Sequence, residues 1–522
     1  MIEKRHSSNR NIIKRIIVGG ILILDTPTCL GSGDADSLID LPLLRDTISN
    51  HALLTGSSIA GALRNYLRER NKGYDLNDYR HELVTKLFGD LFVYKDEVNI
   101  PEKEKIEIKS QDNQSLLIID DAISIDIIKS ELRDGVKINS VTRTAAEKAK
   151  YDFEVLQAGT KFPLCFELLI EKKSDEPNYE STLLKGLAIA LQGLEKGEIS
   201  LGMKKRRGFG RCKVNNWQVW NFNLEDARDR IAWLTLDHSW LTDPPCTKSP
   251  AVNTSIVAAM KEAGLQFVDE RDDKRDRITI NAKFTLASPL LIRSGQASSD
   301  KAPDAVHLKS RRVGEEKPVP IISGTSLAGV LRHRAERIIN TLTEGEKRLL
   351  TKRIIDEIFG FVEDKKDKLE VNTLDNNKKK TRASRLIVHE SVIKESNDLV
   401  QNRIAIDRFT GGALHGALFN EQPIFGSDKT ELKLELELRQ PKPHEIGLLL
   451  LLIKDLWTGD LPVGGTSSIG RGRLQGKTAT ITLALENKNW NITQVSENEP
   501  LIIDNPKDLE KFVDALNEEV AE

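Results

Sequence analysis

TGSSIAGALRNYL, residues 55–67, returns 268 residues later as SGTSLAGVLRHRA, residues 323–335. Matched punctuation flanks both copies. Pro27 and Gly33 reappear as Pro289 and Gly295, Phe88-Gly89 as Phe359-Gly360, and Gly202, Gly208 and Gly210 as Gly464, Gly470 and Gly472. The offset stays between 262 and 271 residues across all these pairs, which scattered glycines would not do. So long a period is a whole domain, not a solenoid repeat of about 20 to 50 residues. The 522-residue chain is therefore expected to hold one domain over 1–222 and a second over 277–485, with a linker over 223–276 and an acidic tail over 486–522.

Outward from the repeated stretch, each half shows the same order of elements. Hydroxyl residues precede an i, i+4, i+8 stripe of Ile59, Leu63 and Leu67, which predicts a capped amphipathic helix starting at Gly56 and, by repetition, at Gly324. A buried strand precedes it (17–24 and 278–286), and strands follow at 116–119 and 386–388 and at 164–170 and 432–438. A second helix (183–196 and 443–456) leads into the glycine-rich motif. Strand, helix, two strands, helix, strand predicts an α+β protein of two tandem ferredoxin-like domains, the split βαβ plan shared with RNA-recognition folds. Polar insertions fall at 93–115 and 362–382, and the linker contains Asp243-Pro244-Pro245 and the charge cluster DERDDKRDR. An apolar-patterned part of it, 231–241, is expected to pack on a domain. Residues 509–520 have helical spacing and read as a solvent-exposed terminal helix.

Composition excludes several classes. With 39% hydrophobic and 30% charged residues the chain reads as soluble and globular, and its longest apolar run, 16–24, is too short to span a bilayer. Cys29, Cys165, Cys212 and Cys246 form no CxxC pair, so neither a disulfide framework nor a zinc site is expected, and a reducing cytoplasm is the simplest location. The net charge of −2 hides an asymmetry: MKKRRGFGRCK, residues 203–213, holds six cations and no anion. That run suits a basic groove, although a solvated charged face would read the same way. GMKKRRGFGR and GGTSSIGRGR let backbone approach a phosphate without a Cβ, with flanking cations to pair it. Neither matches GxxxxGK[ST], so an NTP-hydrolysing loop is not supported.

GSSIAGALR at the first helix, IAIDRFTGGALHGALF in the second half and the late GGxxxxGxGR loop together resemble the RAMP superfamily of CRISPR-associated proteins. More narrowly, both halves resemble the backbone subunit of type III effector complexes, and two fused copies resemble the tandem subunit of type III-D systems. The resemblance implies a palm that grips guide-RNA phosphates and a β-hairpin thumb in each copy, near 138–152 and 403–419. It places RNA contacts at Ser57, Ser58, Arg64 and Arg143 and at Thr325, Ser326, Arg332 and Arg408. The glycine-rich loops add Lys204, Lys205, Arg206 and Gly208, and Ser467, Gly470 and Arg471. The first copy departs from the pattern with Thr142 where the second has Asp407.

The resemblance also implies target-RNA cleavage by an aspartate in the loop ahead of the motif glycine. Asp40 in SLIDLPLLRD and Asp304 in APDAVHLKS match that place, sixteen residues before Gly56 and twenty before Gly324. Such a carboxylate can take up the 2′-hydroxyl proton or help hold a divalent metal, most simply Mg2+. Asp34, Asp36 and Asp300 share these loops, and His307 lies close enough to suggest proton transfer, although a surface histidine is the plainer expectation. Expected partners are a guide RNA, its complementary target RNA and other type III effector subunits, with no membrane. Three rival readings stay open: an inert scaffold in the same complex, a guide-precursor endoribonuclease and a phosphate-binding metabolic enzyme.

Overall fold

The computed structural model describes residues 11–33, 39–91, 113–139, 142, 144–173, 176–235, 248–269, 272–294, 303–362, 381–496 and 499–521. In the first domain β1 (Ile12–Leu24) enters the core, α1 (Gly56–Lys72) follows, then β2 (Leu117–Ile119), β3 (Lys161–Glu171), α2 (Tyr179–Glu195) and β4 (Cys212–Asn223). The strands lie in the order β2-β3-β1-β4, all antiparallel. That order is what two split βαβ units produce, and it is the ferredoxin-like arrangement.

The second domain repeats it with β6 (Arg277–Leu286), α4 (Gly324–Leu342), β7 (Leu386–Val388), β8 (Glu431–Arg439), α5 (Pro443–Trp457) and β9 (Leu474–Leu483), ordered β7-β8-β6-β9. Alternation sets the faces: in ELKLELELR, residues 431–439, Leu432, Leu434, Leu436 and Leu438 are buried while the charged residues between them point outward. Two separate cores result, one around Leu22, Leu63, Phe166 and Leu191, the other around Phe284, Leu331, Leu436 and Leu452. No helix among the described residues is long and apolar enough to cross a membrane.

Two expectations change. Described residues of the stretch read as a linker fold onto the first domain: β5 (Ala251–Asn253) pairs with β4, and α3 (Ile256–Glu262) buries Ile256, Val257, Ala259 and Met260. The acidic tail folds likewise: β10 (Lys488–Thr493) pairs with β9, and α6 (Pro506–Ala521) lies on α5. Leu509, Leu516 and Val520 are buried by that helix, each worth roughly 1.5–3 kcal/mol. A Cβ on Gly447 of α5 would meet the Phe512 carbonyl at 2.1 Å, so the two backbones touch. Solvent exposure was expected because charge dominates the composition of 506–521, yet a single apolar stripe suffices to dock a helix. The repeated unit is therefore one strand and one helix longer than the motifs alone indicate.

The domains meet through the glycine-rich turn of the first. Arg211 pairs with Glu435 at 2.8 Å and Arg439 with Glu69 at 3.2 Å, while Glu131 accepts from the Arg311 backbone N–H at 2.9 Å. Lys433 and Arg211 hold Glu435 well below the ordinary carboxylate range, at about 2, against the opposing effect of burial. A cavity of about 780 Å³ lies between the domains, lined by Lys205, Arg206, Arg275 and Arg439 opposite Glu69, Glu198 and Glu437.

Candidate functional site

Each domain carries a hairpin above its palm. The first consists of strands Ser130–Ile138 and Ala145–Leu156; the base of the second pairs Gln401–Arg403 with Phe419–Gln422. Arg143 lies outside the described residues, as do Asp34, Asp36 and Asp300. Arg408 is exposed in the second hairpin, beside the fully exposed Phe409, and Asp407 accepts the Phe409 and Thr410 N–H groups at 2.8 and 2.9 Å. That Asx turn shapes the tip. Thr142 in the first copy instead donates its N–H to Asn139 Oδ1 at 3.1 Å.

Asp40 and Asp304 occupy equivalent places. Oδ2 of Asp40 accepts the backbone N–H of Asp152 at 2.9 Å, and Oδ2 of Asp304 accepts that of Asn420 at 2.8 Å. Leu41, the next residue, bridges Phe153, and Ala305 pairs with Glu421, so each loop runs parallel to its hairpin strand. Both carboxylates are exposed. One oxygen is fixed to the hairpin base and the other faces solvent, an arrangement that allows a proton to be taken from an incoming hydroxyl. Among the described residues no group of three or more His, Cys, Asp or Glu is arranged to hold a metal. Mg2+ is commonly held by one or two carboxylates with substrate phosphates completing its shell, so a single Asp at each site fits that mode.

The helix-start residues divide between capping and exposure. Thr55 caps α1, its Oγ1 accepting the Ser58 N–H at 3.4 Å, and Ser323 caps α4, accepting that of Ser326 at 3.3 Å. Ser57, Ser58 and Thr325 are exposed, and Ser326 is half-buried. The Gly56 N–H, however, donates to the Asp121 carboxylate at 2.7 Å, so one helix-start donor is already used. Arg64 is tied to Asp78 at 2.9 Å and to the Gly89 carbonyl at 2.9 Å; Arg332 is tied likewise to Asp356 at 2.8 Å and the Gly360 carbonyl at 2.7 Å. These arginines staple α1 and α4 to the segments that follow them.

The glycine-rich loops require corrections. Gly208 faces the second domain: at φ +82°, a Cβ there would lie 2.5 Å from the Glu390 nitrogen, which leaves no room for a phosphate. Lys204 donates to Tyr151 Oη at 2.6 Å and lies 4.2 Å from the Phe153 ring, bracing the first hairpin. Lys205 and Arg206 line the interdomain cavity. Arg471 is buried, donating to Glu421 at 2.8 Å and to Gln401 at 2.6 Å. In the first copy these positions are Phe209 and Phe153, an edge-to-face pair at 5.7 Å. The buried carboxylate of Glu421 draws Arg471 inward, so the arginine faces no ligand. Ser467 is exposed, and a Cβ on Gly470 would meet nothing within 4 Å.

His307 is also buried rather than at the surface. Its Nδ1 accepts the Ile292 N–H at 3.1 Å, which leaves Nε2 as the donor to the Ile321 carbonyl at 3.0 Å. Burial pushes its pKa down to about 4, and both ring nitrogens are committed to backbone.

The RAMP superfamily model matches residues 22–213 and again 283–475. The chain belongs to the RAMP superfamily. Each span runs from the end of a palm's first strand to the start of its last, one span per ferredoxin-like palm, so this is a tandem RAMP protein. Over 226 residues it is 26% identical to the "CRISPR system Cms endoribonuclease Csm3" of Mycobacterium tuberculosis (strain ATCC 25618 / H37Rv), a match covering 39% of this chain and 87% of that protein. A relative nearly spanned by two-fifths of this RAMP chain is what duplication of one unit produces. Sequence reasoning did not single out Arg207 of this RAMP protein, which donates to Ser384 and the Leu386 carbonyl of the second domain. The four consecutive cations of KKRR, residues 204–207, offered no periodic signal to separate it from Lys204, Lys205 and Arg206.

Proposed function

We propose that this tandem RAMP protein is a subunit of a type III CRISPR effector, that it binds the guide RNA, and that it cleaves complementary target RNA with Asp40, Asp304 or both. The observation that carries this reading is the repeated anchoring of the two aspartates, one oxygen on a hairpin-base N–H at 2.9 and 2.8 Å in independently diverged loops. The name of the mycobacterial relative, an endoribonuclease, points the same way. Exposed Ser57, Ser58, Thr325, Arg408 and Ser467 supply the RNA-facing donors in this reading.

Chemically, the free oxygen of each aspartate takes the proton of a target 2′-hydroxyl as that oxygen attacks the neighbouring phosphorus. The bond to the 5′ oxygen breaks and that oxygen takes a proton from solvent, leaving a 2′,3′-cyclic phosphate and a 5′-hydroxyl. The backbone N–H on Oδ2 holds the carboxylate's direction while the hairpin sets where the RNA strand bends. Mg2+ held by Asp40 or Asp304 together with phosphate oxygens would neutralise charge developing on the phosphate.

A second reading has its own support: the same N–H contacts would let each aspartate merely tether its hairpin. Asp40→Asn and Asp304→Asn separate the two, because an amide oxygen still accepts the N–H but does not take the proton. In the reconstituted complex each substitution is expected to remove one cut in the target and slow it by about 10²–10⁴. Unchanged fragments from both single variants and the double variant would leave the scaffold reading standing.

A further inference from the structure

The first domain carries an open pocket of about 280 Å³, lined by Gly56, Ser57, Gly61, Arg64, Ser115 and Ile119 among others. Its counterpart in the second domain is filled, and the filler belongs to this chain. The turn Lys205–Arg207, bounded by Lys204 and Gly208 in left-handed conformations, sits over Gly324. A Cβ on Gly324 would lie 2.3 Å from the Arg207 carbonyl oxygen. Arg207 Nη1 reaches Ser384 Oγ and the Leu386 carbonyl, each at 3.5 Å. Ser384 and Leu386 stand where the first domain has Ser115 and Leu117. Both serines make the same internal contacts, to Leu87 and Leu117 carbonyls in one copy and to Ile358 and Leu386 carbonyls in the other. The two pockets are therefore one socket in two states.

The matching turn of the second domain, Ser467–Ile469, has the same backbone shape, with Thr466 and Gly470 at φ +59° and +84°. It carries Ser-Ser-Ile where the first has Lys-Arg-Arg, and Ile469 is 51% exposed in Arg207's place. The sockets have diverged in the complementary sense. In the filled one Gly208 packs on His389 and Glu390, and Glu390 is already paired with Arg312 at 2.6 Å. In the open one the corresponding residues are Asp120 and Asp121, both exposed. The open socket is thus the more acidic, and the chain's own free turn is the uncharged one.

We propose that the first-domain socket receives a glycine-bounded turn with a cation at its tip, carried by a protein other than this chain. The occupied socket supplies the template for its geometry, and Asp120 with Asp121 supplies the charge preference. Ile469 in the tip position makes a second copy of this chain a poor occupant. This inference does not depend on RNA cleavage.

The test converts the free turn into the missing partner. Nuclease-treated full-length protein and its S467K/S468R/I469R variant are compared by sedimentation velocity over a concentration series. The variant is expected to associate head to tail at least about tenfold more tightly than the wild-type protein. Gly61→Trp, at a pocket-lining position where a Cβ meets nothing within 4 Å, is expected to abolish that association. Asp120→Lys should weaken it through charge alone. Equal behaviour of variant and wild type would overturn the proposal, as would association indifferent to both socket substitutions or present only with added RNA. Wild-type assembly through the socket, lost in Gly61→Trp, would make a second copy the occupant and overturn it too.

Discussion

Replacing Arg471 by Phe should destabilise the second domain severely, and replacing Glu421 by Phe in the same chain should largely restore it. Glu421 is fully buried, with Arg471 at 2.8 Å and Arg403 at 2.9 Å. Removing one member of a buried pair costs about 3–5 kcal/mol when the charge left behind is uncompensated, whereas exchanging the pair for apolar side chains of suitable shape is often neutral or stabilising. Arg403 stays on Glu421 here, so the single loss lies at the lower end of that range. Here the protein supplies the apolar solution itself, since Phe153 and Phe209 fill the equivalent positions of the first domain. Arg403, whose side chain is 30% exposed, can turn to solvent once Glu421 is gone. The assay is urea unfolding of wild type, both single variants and the double variant, with guide-length RNA affinity measured on each folded species. The arginine variant should lose about 3 kcal/mol, the double variant less than about 1.5, and RNA affinity of the double variant should match wild type. An arginine variant as stable as wild type, or a folded double variant with lost RNA affinity, would refute the assignment of Arg471 to hairpin support.

Gly208→Ala should loosen the interdomain contact, visible as faster amide exchange at 386–390. Gly470→Ala, at nearly the same φ but in open space, should cost only the local left-handed strain of about 1–2 kcal/mol and leave those amides unchanged. His307 should make the second domain acid-sensitive. Because its folded pKa, about 4, lies below the ordinary 6.5, the unfolded state binds the proton first, so stability is full above pH 6.5 and falls as pH drops toward 4. Between pH 6.5 and 5 this one group should remove roughly 1.5 kcal/mol, read as the difference in urea midpoint slope between wild type and His307→Gln.

The duplication and the ferredoxin-like order were legible because strands such as 431–439 alternate strictly and the glycine spacings are copied between halves. Asp40 and Asp304 were singled out by the resemblance to the RAMP superfamily and not by spacing, which differs between the copies; the structure adds that each accepts an N–H from its hairpin base. Other features hid behind composition. The 506–521 helix is charged enough to read as a free tail, yet Leu509, Leu516 and Val520 form one buried line. The roles of the arginines were illegible because sequence shows a cation but not its partner. Arg64, Arg332 and Arg471 look like phosphate ligands until Asp78, Asp356 and Glu421 are seen beside them, and those carboxylates lie 14, 24 and 50 residues away.

Fusion of the two copies explains why their sockets differ. The internal socket meets a partner covalently joined to it, at a high effective concentration, so long 3.5 Å contacts from Arg207 and a few ion pairs such as Arg211–Glu435 and Arg439–Glu69 suffice. The open socket must recruit a separate molecule, which loses translational and rotational freedom on binding and needs stronger attraction to compensate. Selection on the first domain's socket therefore favours net negative charge that a cationic turn can neutralise, and Asp120 and Asp121 remain exposed where His389 and Glu390 became part of a packed seam. On the free turn the pressure runs the other way. A cationic tip there would let one chain dock on the next without limit, and Ser467-Ser468-Ile469 removes the charge that would drive it.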